Sequence, residues 1–143
     1  MATMNLTQHA TTSDQLAAGV FDLPAAVRAE MQALLTFGEL PDEQEIRARA
    51  ELIAGLAAMH ASAEDRADDA GLLPDGDAGG FALCAMIGGA LWLMAPLAAA
   101  LREQGIDPVF AFSIRETEEQ KQSDGSVRKV NVFRHAGFVP AVA

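Results

Sequence analysis

Three short stretches hold side chains able to carry chemistry: Gln8-His9-Ala10-Thr11-Thr12, the pair Gly88-Gly89, and Ser113-Ile114-Arg115. Glycines where a strand feeds a helix let backbone N–H groups approach a ligand closely, and a helix N-terminus adds partial positive charge that favours phosphate or carboxylate. Arginine holds phosphate by charge-assisted hydrogen bonds. Histidine titrates near neutrality, so His9 suits orienting or deprotonating a hydroxyl, and Ser113 suits a hydrogen bond to a ribose or phosphate oxygen. Lys129 and Arg134 come later and reach the same place only if their segment folds over it. Each motif has a plainer reading beside this one. Gly88-Gly89 lacks a full dinucleotide or P-loop fingerprint and serves equally as a tight turn, and a lone His after a strand serves equally as an exposed or capping residue. Neither a metal nor a cofactor is expected. Asp75-Gly76-Asp77 opens like a calcium loop, but the twelfth position counted from Asp75 is Met86 where an EF-hand needs Glu.

The elements that must position these residues follow from hydrophobic patterning. Phe81-Ala-Leu-Cys-Ala-Met-Ile87 is an apolar run suited to a strand buried on both faces. A longer apolar segment from Gly88-Gly89 to Leu101 reads as a helix, stopped by Gly105 before the strand Pro108 to Ile114. This is a βαβ unit of a parallel sheet. Thr3 to Gln8 reads as the first strand and Val20-Phe21 as a short second one, with a brief helix capped by Thr11 or Thr12 between them. Pro24 opens a helix with Val27, Met31, Leu34 and Leu35 at helical spacing. A longer helix restarting at Pro41-Asp42 carries Ile46, Ala50, Ile53, Ala54, Ala57 and Ala58. Ser62 to Gly80, rich in Ala, Asp and Gly, reads as a flexible acidic loop. Asp124-Gly125 between two alternating runs signals a C-terminal hairpin over 113–139, with Arg134 and His135 on opposite faces of its second strand.

The expectation is therefore one α/β domain over residues 1–143, a Rossmann-like three-layer arrangement with a mainly parallel central sheet and a C-terminal β-hairpin. Ligands in such sheets gather at the carboxyl ends of strands. That rule puts Gln8, His9 and Thr11, then Gly88 and Gly89, then Ser113 and Arg115 on one rim.

Composition narrows the function. With 20 acidic against 10 basic side chains the net charge is −10, which opposes binding to genomic DNA. Five of the bases, Arg115, Lys121, Arg128, Lys129 and Arg134, fall in one C-terminal segment, where they either hold a small anion or interleave with Glu116, Glu118 and Glu119 as a solvated hairpin. The single cysteine, Cys84, sits in an apolar run and reads as buried and inert in a reducing compartment. Phe81 to Leu101 is uncharged for 21 positions, long enough to span a bilayer, but Gly88-Gly89 and Pro96 interrupt it and a strand follows. A cytoplasmic protein without membrane contact is expected.

The segments His9-x-Thr11-Thr12-x-x-Gln15, Leu23-Pro24, Ile87-Gly88-Gly89, Phe110-Ala-Phe-Ser113-x-Arg115-Glu116 and Asp124-Gly125-Ser-Val127-x-Lys129 follow one another in order, with Val132-Phe133-Arg134-His135 and Phe138 after them. Together they resemble the small CRISPR-associated, CARF-like Rossmann proteins regarded as ring nucleases for cyclic oligoadenylate messengers. The resemblance touches nearly the whole chain except Ser62 to Gly80 and is most specific from Ser113 to Phe138. Gly137 departs from it by standing where a basic residue is expected, and the glycine turn departs by lacking an acidic one.

The resemblance implies a homodimer holding a cyclic oligoadenylate across its two-fold axis and switching off CRISPR signalling by cleaving it. RNA supplies its own nucleophile, the 2′-hydroxyl, so the enzyme need only orient the ribose and stabilise developing charge while a 2′,3′-cyclic phosphate forms. His9, Ser113 and Arg115 are the implied catalytic residues. Gln8, Thr11, Gly88, Gly89, Lys129 and Arg134 are the implied ligand contacts. Two other readings stand beside it: a protein that binds or sequesters a nucleotide messenger without cleaving it, and a small interaction protein with no nucleotide role.

Overall fold

The computed structural model describes residues 2–61 and 83–142. The expected acidic loop, the Asp75-Gly76-Asp77 stretch and the first two residues of the strand expected at Phe81 lie outside the described residues. Five strands, β1 (Ala2–Asn5), β2 (Val20–Asp22), β3 (Leu83–Met86), β4 (Ile106–Lys121) and β5 (Val127–Pro140), form one sheet in the order β2-β1-β3-β4-β5. β2, β1, β3 and β4 run parallel, and β5 is antiparallel to β4. The helices among the described residues are α1 (Ser13–Ala17), α2 (Ala25–Leu35), α3 (Glu43–His60) and α4 (Leu91–Glu103).

The layering follows from the hand of parallel crossovers, which is right-handed almost without exception. The chain steps one way from β1 to β2 through α1 and the other way from β2 to β3 and from β3 to β4, so α2, α3 and α4 share the opposite face from α1. The buried side chains agree. Met4, Leu6, Leu83, Ala85, Ile87 and Ile106 pack with Met31 and Leu35 of α2, Ile53 and Ala57 of α3, and Leu93, Leu97 and Leu101 of α4. A smaller cluster of Val20, Cys84, Met86 and Val109, with Phe138 against it, lies on the other face. The α/β, mainly parallel architecture with a C-terminal hairpin is as expected from the sequence.

Local chemistry sets the boundaries. Thr12 caps α1 through a reciprocal pair in which Gln15 N donates to Thr12 Oγ1 and Thr12 N donates to Gln15 Oε1. Asp42 caps α3 by accepting from Glu45 N at 2.8 Å. Gly105, at φ +75°, lets the chain leave α4 and enter β4 at once. β1 is shorter than the expected Thr3 to Gln8, because the Asn5 side chain accepts from Thr7 N at 2.9 Å and turns the chain out of the strand. Pro96 lies in the interior of α4, so the Trp92 carbonyl loses its helical donor. The uncharged stretch is divided between β3, a glycine turn and a 13-residue helix. Among the described residues no helix is long and apolar enough to cross a membrane.

β3 ends at Met86, opposite Val109, and from Phe110 onward β4 pairs with β5 alone among the described residues. The hairpin is therefore a two-stranded arm running beyond the sheet. Its turn is closed by Gln122 N to Ser126 O at 2.7 Å, with Gly125 at φ +87° and Asp124 Oδ1 accepting from Ser126 N. Ala136 is the extra residue of a bulge, since Phe112 pairs with Gly137 and Ser113 with His135.

Candidate functional site

Strand order reverses at β1, with β2 on one side and β3 on the other, and the crevice outside the carboxyl ends of strands at such a switch point is where open α/β sheets bind ligands. A cavity of about 480 Å³ lies there. Its walls are the loop after β1 (Thr7, Gln8, His9, Ala10), the start of α1 (Thr12, Gln15), the end of β3 with the glycine turn (Met86 to Gly89), and Phe110 and Ala111 of β4. Its volume suits a molecule of nucleotide size.

Asn5 builds this wall. Its side chain is buried at the carboxyl end of β1. Its two amide hydrogens go to the His9 carbonyl at 2.7 Å and to Asp22 Oδ1 at 2.8 Å, and its carbonyl oxygen accepts from Thr7 N and from the Thr7 hydroxyl at 2.7 Å. The Thr11 hydroxyl donates to Asp22 Oδ1 at 2.7 Å, so the loop is pinned at Thr7, His9 and Thr11. Burial pushes the Asp22 carboxyl up, but the hydrogen bonds from Thr11 and Asn5 and the charge of Arg28 together outweigh it, and the net shift is downward. Gln8 is clipped to α2: its Nε2 donates to Thr36 Oγ1 at 2.7 Å, and Thr36 passes the bond on to the Gln32 carbonyl.

Among the described residues these bonds leave one titratable group in the cavity lining, His9. The hydrogen bonds of His9 among the described residues run through its backbone, so the imidazole is available to a ligand. Among the described residues a Cβ placed on Gly88 would meet only Thr7 Cγ2, at 3.6 Å, an ordinary contact that leaves room there. Gly89 has φ +133°, a backbone that side-chain-bearing residues rarely adopt. α4 begins immediately afterwards with no side-chain cap and no acid in its first turn. Its N-terminal N–H groups and dipole thus begin one residue beyond Gly89, the last lining residue of the turn, with no side-chain cap competing for them.

The charge pattern is as informative as the shape. Among the described residues no Asp, Glu, Lys or Arg lines the cavity, and 2–13, 83–101 and 108–114 contain none of these residues at all. An anion entering this end of an acidic molecule therefore meets dipoles and, among the described residues, no carboxylate in the walls.

The expected rim is brought together in part. Gln8, His9, Gly88 and Gly89 line the cavity, whereas Thr11 sits behind it on Asp22. Ser113 and Arg115 lie on the arm, because β4 does not end at Ser113 but runs on to Lys121. They follow Ala111 at two-residue spacing and so share its face, leading away from the cavity mouth. Lys129 stands opposite Glu119, and Arg134 pairs with Glu116 and Glu118 on the other face of the arm. His135 Nδ1 and Nε2 are sealed from solvent with no hydrogen-bond partner among the described residues, the ring lying 4.7 Å from that of Phe138. Cys84 is buried, and its thiol is pushed up by burial and by the neighbouring Asp107 carboxylate, which keeps it protonated. Asn5, Thr7 and Asp22 went unnoticed in the sequence, although Asn-x-Thr at the end of an apolar run is the signature of a side chain turning its own backbone.

No curated protein and no solved structure matches the chain. Residues 1–139 match the model of a family described as the uncharacterized protein MJ1673 family, and over that length the chain belongs to it.

Proposed function

We propose that the chain is a cytoplasmic, metal-independent ring nuclease that binds a cyclic oligoadenylate at the switch-point cavity and cleaves it. The observation that carries the reading is the cavity itself: walls that are uncharged among the described residues on a strongly acidic protein, a glycine turn leading into the uncapped N-terminus of α4, and the His9 imidazole in the same lining. Phosphate is the anion such backbone donors suit best. Phe110, half-buried at the edge, gives a base an aromatic surface. The cavity is too small for a whole ring, which supports a homodimer that sets two cavities across a two-fold axis and lets the rest of the ring run along Ala111, Ser113 and Arg115 of each arm.

The chemistry needs few groups. His9 takes the proton of a 2′-hydroxyl as its oxygen attacks the adjacent phosphorus; the new O2′–P bond forms, the P–O5′ bond breaks, the 5′-oxygen leaves and takes a proton from water, and His9 returns its proton to solvent. The products carry a 2′,3′-cyclic phosphate and a 5′-hydroxyl. Backbone N–H groups at Gly88, Gly89 and the start of α4 stabilise the extra negative charge on phosphorus-bound oxygen, and Arg115 and Ser113 hold the neighbouring phosphate and ribose. Gln8 is a further contact in the cavity wall, and Lys129, on the face of the arm that carries Arg115, is an outer one.

A second reading rests on a specific feature: among the described residues His9 is the one titratable side chain lining the cavity, with no acid beside it to protonate the leaving oxygen. That arrangement suits a protein that sequesters the messenger intact. Incubation with cyclic oligoadenylates followed by chromatography separates the two. Shortened linear products support cleavage, retained intact ring supports sequestration, and neither binding nor product overturns the nucleotide reading.

A further inference from the structure

We infer that Phe133 is the stacking platform for a second adenine of the ring, with Arg115 holding the phosphate beside it. This rests on the nucleotide reading above and adds to it a base subsite outside the cavity.

The subsite follows from the register of the arm. Residues directly opposite each other in an antiparallel pair share a face, with Cβ atoms about 4.5–5.5 Å apart. Ala111, which lines the cavity, stands opposite Phe138, Ser113 opposite His135, and Arg115 opposite Phe133. One face of the arm therefore leads from the cavity mouth to a guanidinium and a phenyl ring held side by side.

The two phenylalanines on this face of β5 are used differently. The Phe138 ring meets that of His135 at 4.7 Å and packs against the cluster of Val20, Cys84, Met86 and Val109. Phe133 is 70% exposed and has no ring or cation partner among the described residues. Val or Thr would suit such a strand position without exposing an aromatic ring. Arg115 is in no ion pair among the described residues, whereas Arg134 on the other face is held by Glu116 and Glu118.

Charge names the occupant. This face of the two strands carries Arg115, Lys121 and Lys129 against one acid, Glu119, on a chain with 20 acids and 10 bases. The opposite face sets Glu116 and Glu118 against Arg128 and Arg134. A basic strip with an unpartnered aromatic ring is the combination that holds single-stranded nucleotides, since cations follow the phosphates and the ring stacks a base. A purely apolar partner would cover Arg115 and strand its charge. Arg115 lies four residues beyond Ala111, about 13 Å along the strand, so one nucleotide cannot use both cavity and strip. The ring places one nucleotide in the cavity and another on Phe133.

The test is calorimetric titration of cyclic tetra-adenylate, cyclic hexa-adenylate and adenosine monophosphate into wild type, Phe133→Ala, Phe133→Leu and Phe133→Tyr, each checked for folding by thermal melting. Phe133→Ala and Phe133→Leu should weaken binding of the ring by about fivefold or more. Phe133→Tyr should hold it to within about twofold of wild type, and all these proteins should bind the mononucleotide alike. Phe133→Trp gives a direct signal: its added indole fluorescence should be quenched by the ring and not by the mononucleotide, with Trp92 of the wild type as baseline. Ring affinity that is unchanged in Phe133→Ala, or lost equally for ring and mononucleotide, overturns the subsite and leaves the nucleotide reading standing. Phe133→Leu binding the ring as tightly as Phe133→Tyr also overturns it, because apolar contact without stacking then suffices. A wild type that binds neither ring nor mononucleotide overturns both.

Discussion

Asn5 Nδ2 donates to Asp22 Oδ1 at 2.8 Å between two residues that are register partners across the parallel β1–β2 pair. One bond thus ties the second strand to the loop that carries His9, since the same amide also holds the His9 carbonyl. Replacing Asn5 by Ala removes the hydrogen bonds that tie the His9 carbonyl, Thr7 N and Asp22 to one buried side chain, a loss of about 2 kcal/mol. The melting temperature should fall by roughly 5–10 °C. Asn5→Asp keeps the shape but sets a second carboxylate against Asp22. Its deficit relative to wild type should be largest near neutral pH and shrink on acidification, as protonation of one carboxyl relieves the repulsion. Urea unfolding at two pH values measures it, and a deficit that grows on acidification contradicts the assigned bond.

Asp22 itself should make stability fall in acid. Its folded-state carboxyl lies below the ordinary value of 3.8, because hydrogen bonds from Thr11 and Asn5 overcome the effect of burial. A group lowered on folding stabilises above its unfolded value, and that contribution disappears as pH falls through the folded value. Wild type should therefore lose part of its advantage over Asp22→Asn between about pH 5 and pH 2. Parallel unfolding curves for the two proteins over that range contradict the assignment.

The two glycines of the turn should respond oppositely. Gly88 has ordinary backbone and a Cβ there meets nothing closer than 3.6 Å, so Gly88→Ala should fold with its stability unchanged within about 0.5 kcal/mol. The added methyl occupies cavity space, and ligand affinity should drop by tenfold or more. Gly89→Ala, at φ +133°, should cost about 1–3 kcal/mol of stability before any effect on ligand. Calorimetric melting and ligand titration on both variants distinguish a turn that serves only the fold from one that also leaves room for a ligand.

The sheet was legible because its strands and helices follow apolar periodicity: Leu83 to Met86 buried throughout, and Ile53, Ala54 and Ala57 on one face of α3. Half of the rim was legible for a related reason, since strand ends fix where His9 and Gly88 must lie. The error at Ser113 and Arg115 came from placing the carboxyl end of β4 by composition. The sheet stops at Val109, where β3 stops, but β4 continues because β5 supplies its hydrogen bonds. Asn5 and Asp22 were hidden for a different reason. They are 17 residues apart, and only the parallel pairing of two short strands makes them neighbours.

His9 and Arg115 should separate turnover from binding, and the position of Arg115 makes the separation sharper than the sequence suggested. His9 lines the cavity, whereas Arg115 lies four residues beyond Ala111 on the same face of β4, about 13 Å along the strand. A mononucleotide fits the cavity without reaching Arg115; a cyclic oligoadenylate does reach it. Loss of a charge-assisted phosphate contact is worth about 1.5–3 kcal/mol, so Arg115→Ala should weaken binding of the ring at least tenfold while leaving binding of adenosine monophosphate unchanged. His9→Ala removes the acceptor of the 2′-hydroxyl proton without removing a phosphate contact, and should lower turnover by about a hundredfold or more with affinity for the ring within about threefold. Fluorescence titration with both ligands and single-turnover cleavage of the ring, on folded variants, measure all four numbers. Equal loss of both ligands in Arg115→Ala would place the arm's arginine at the cavity and remove the extended path along the arm, and unchanged turnover in His9→Ala would leave His9 as a backbone anchor for the loop and nothing more.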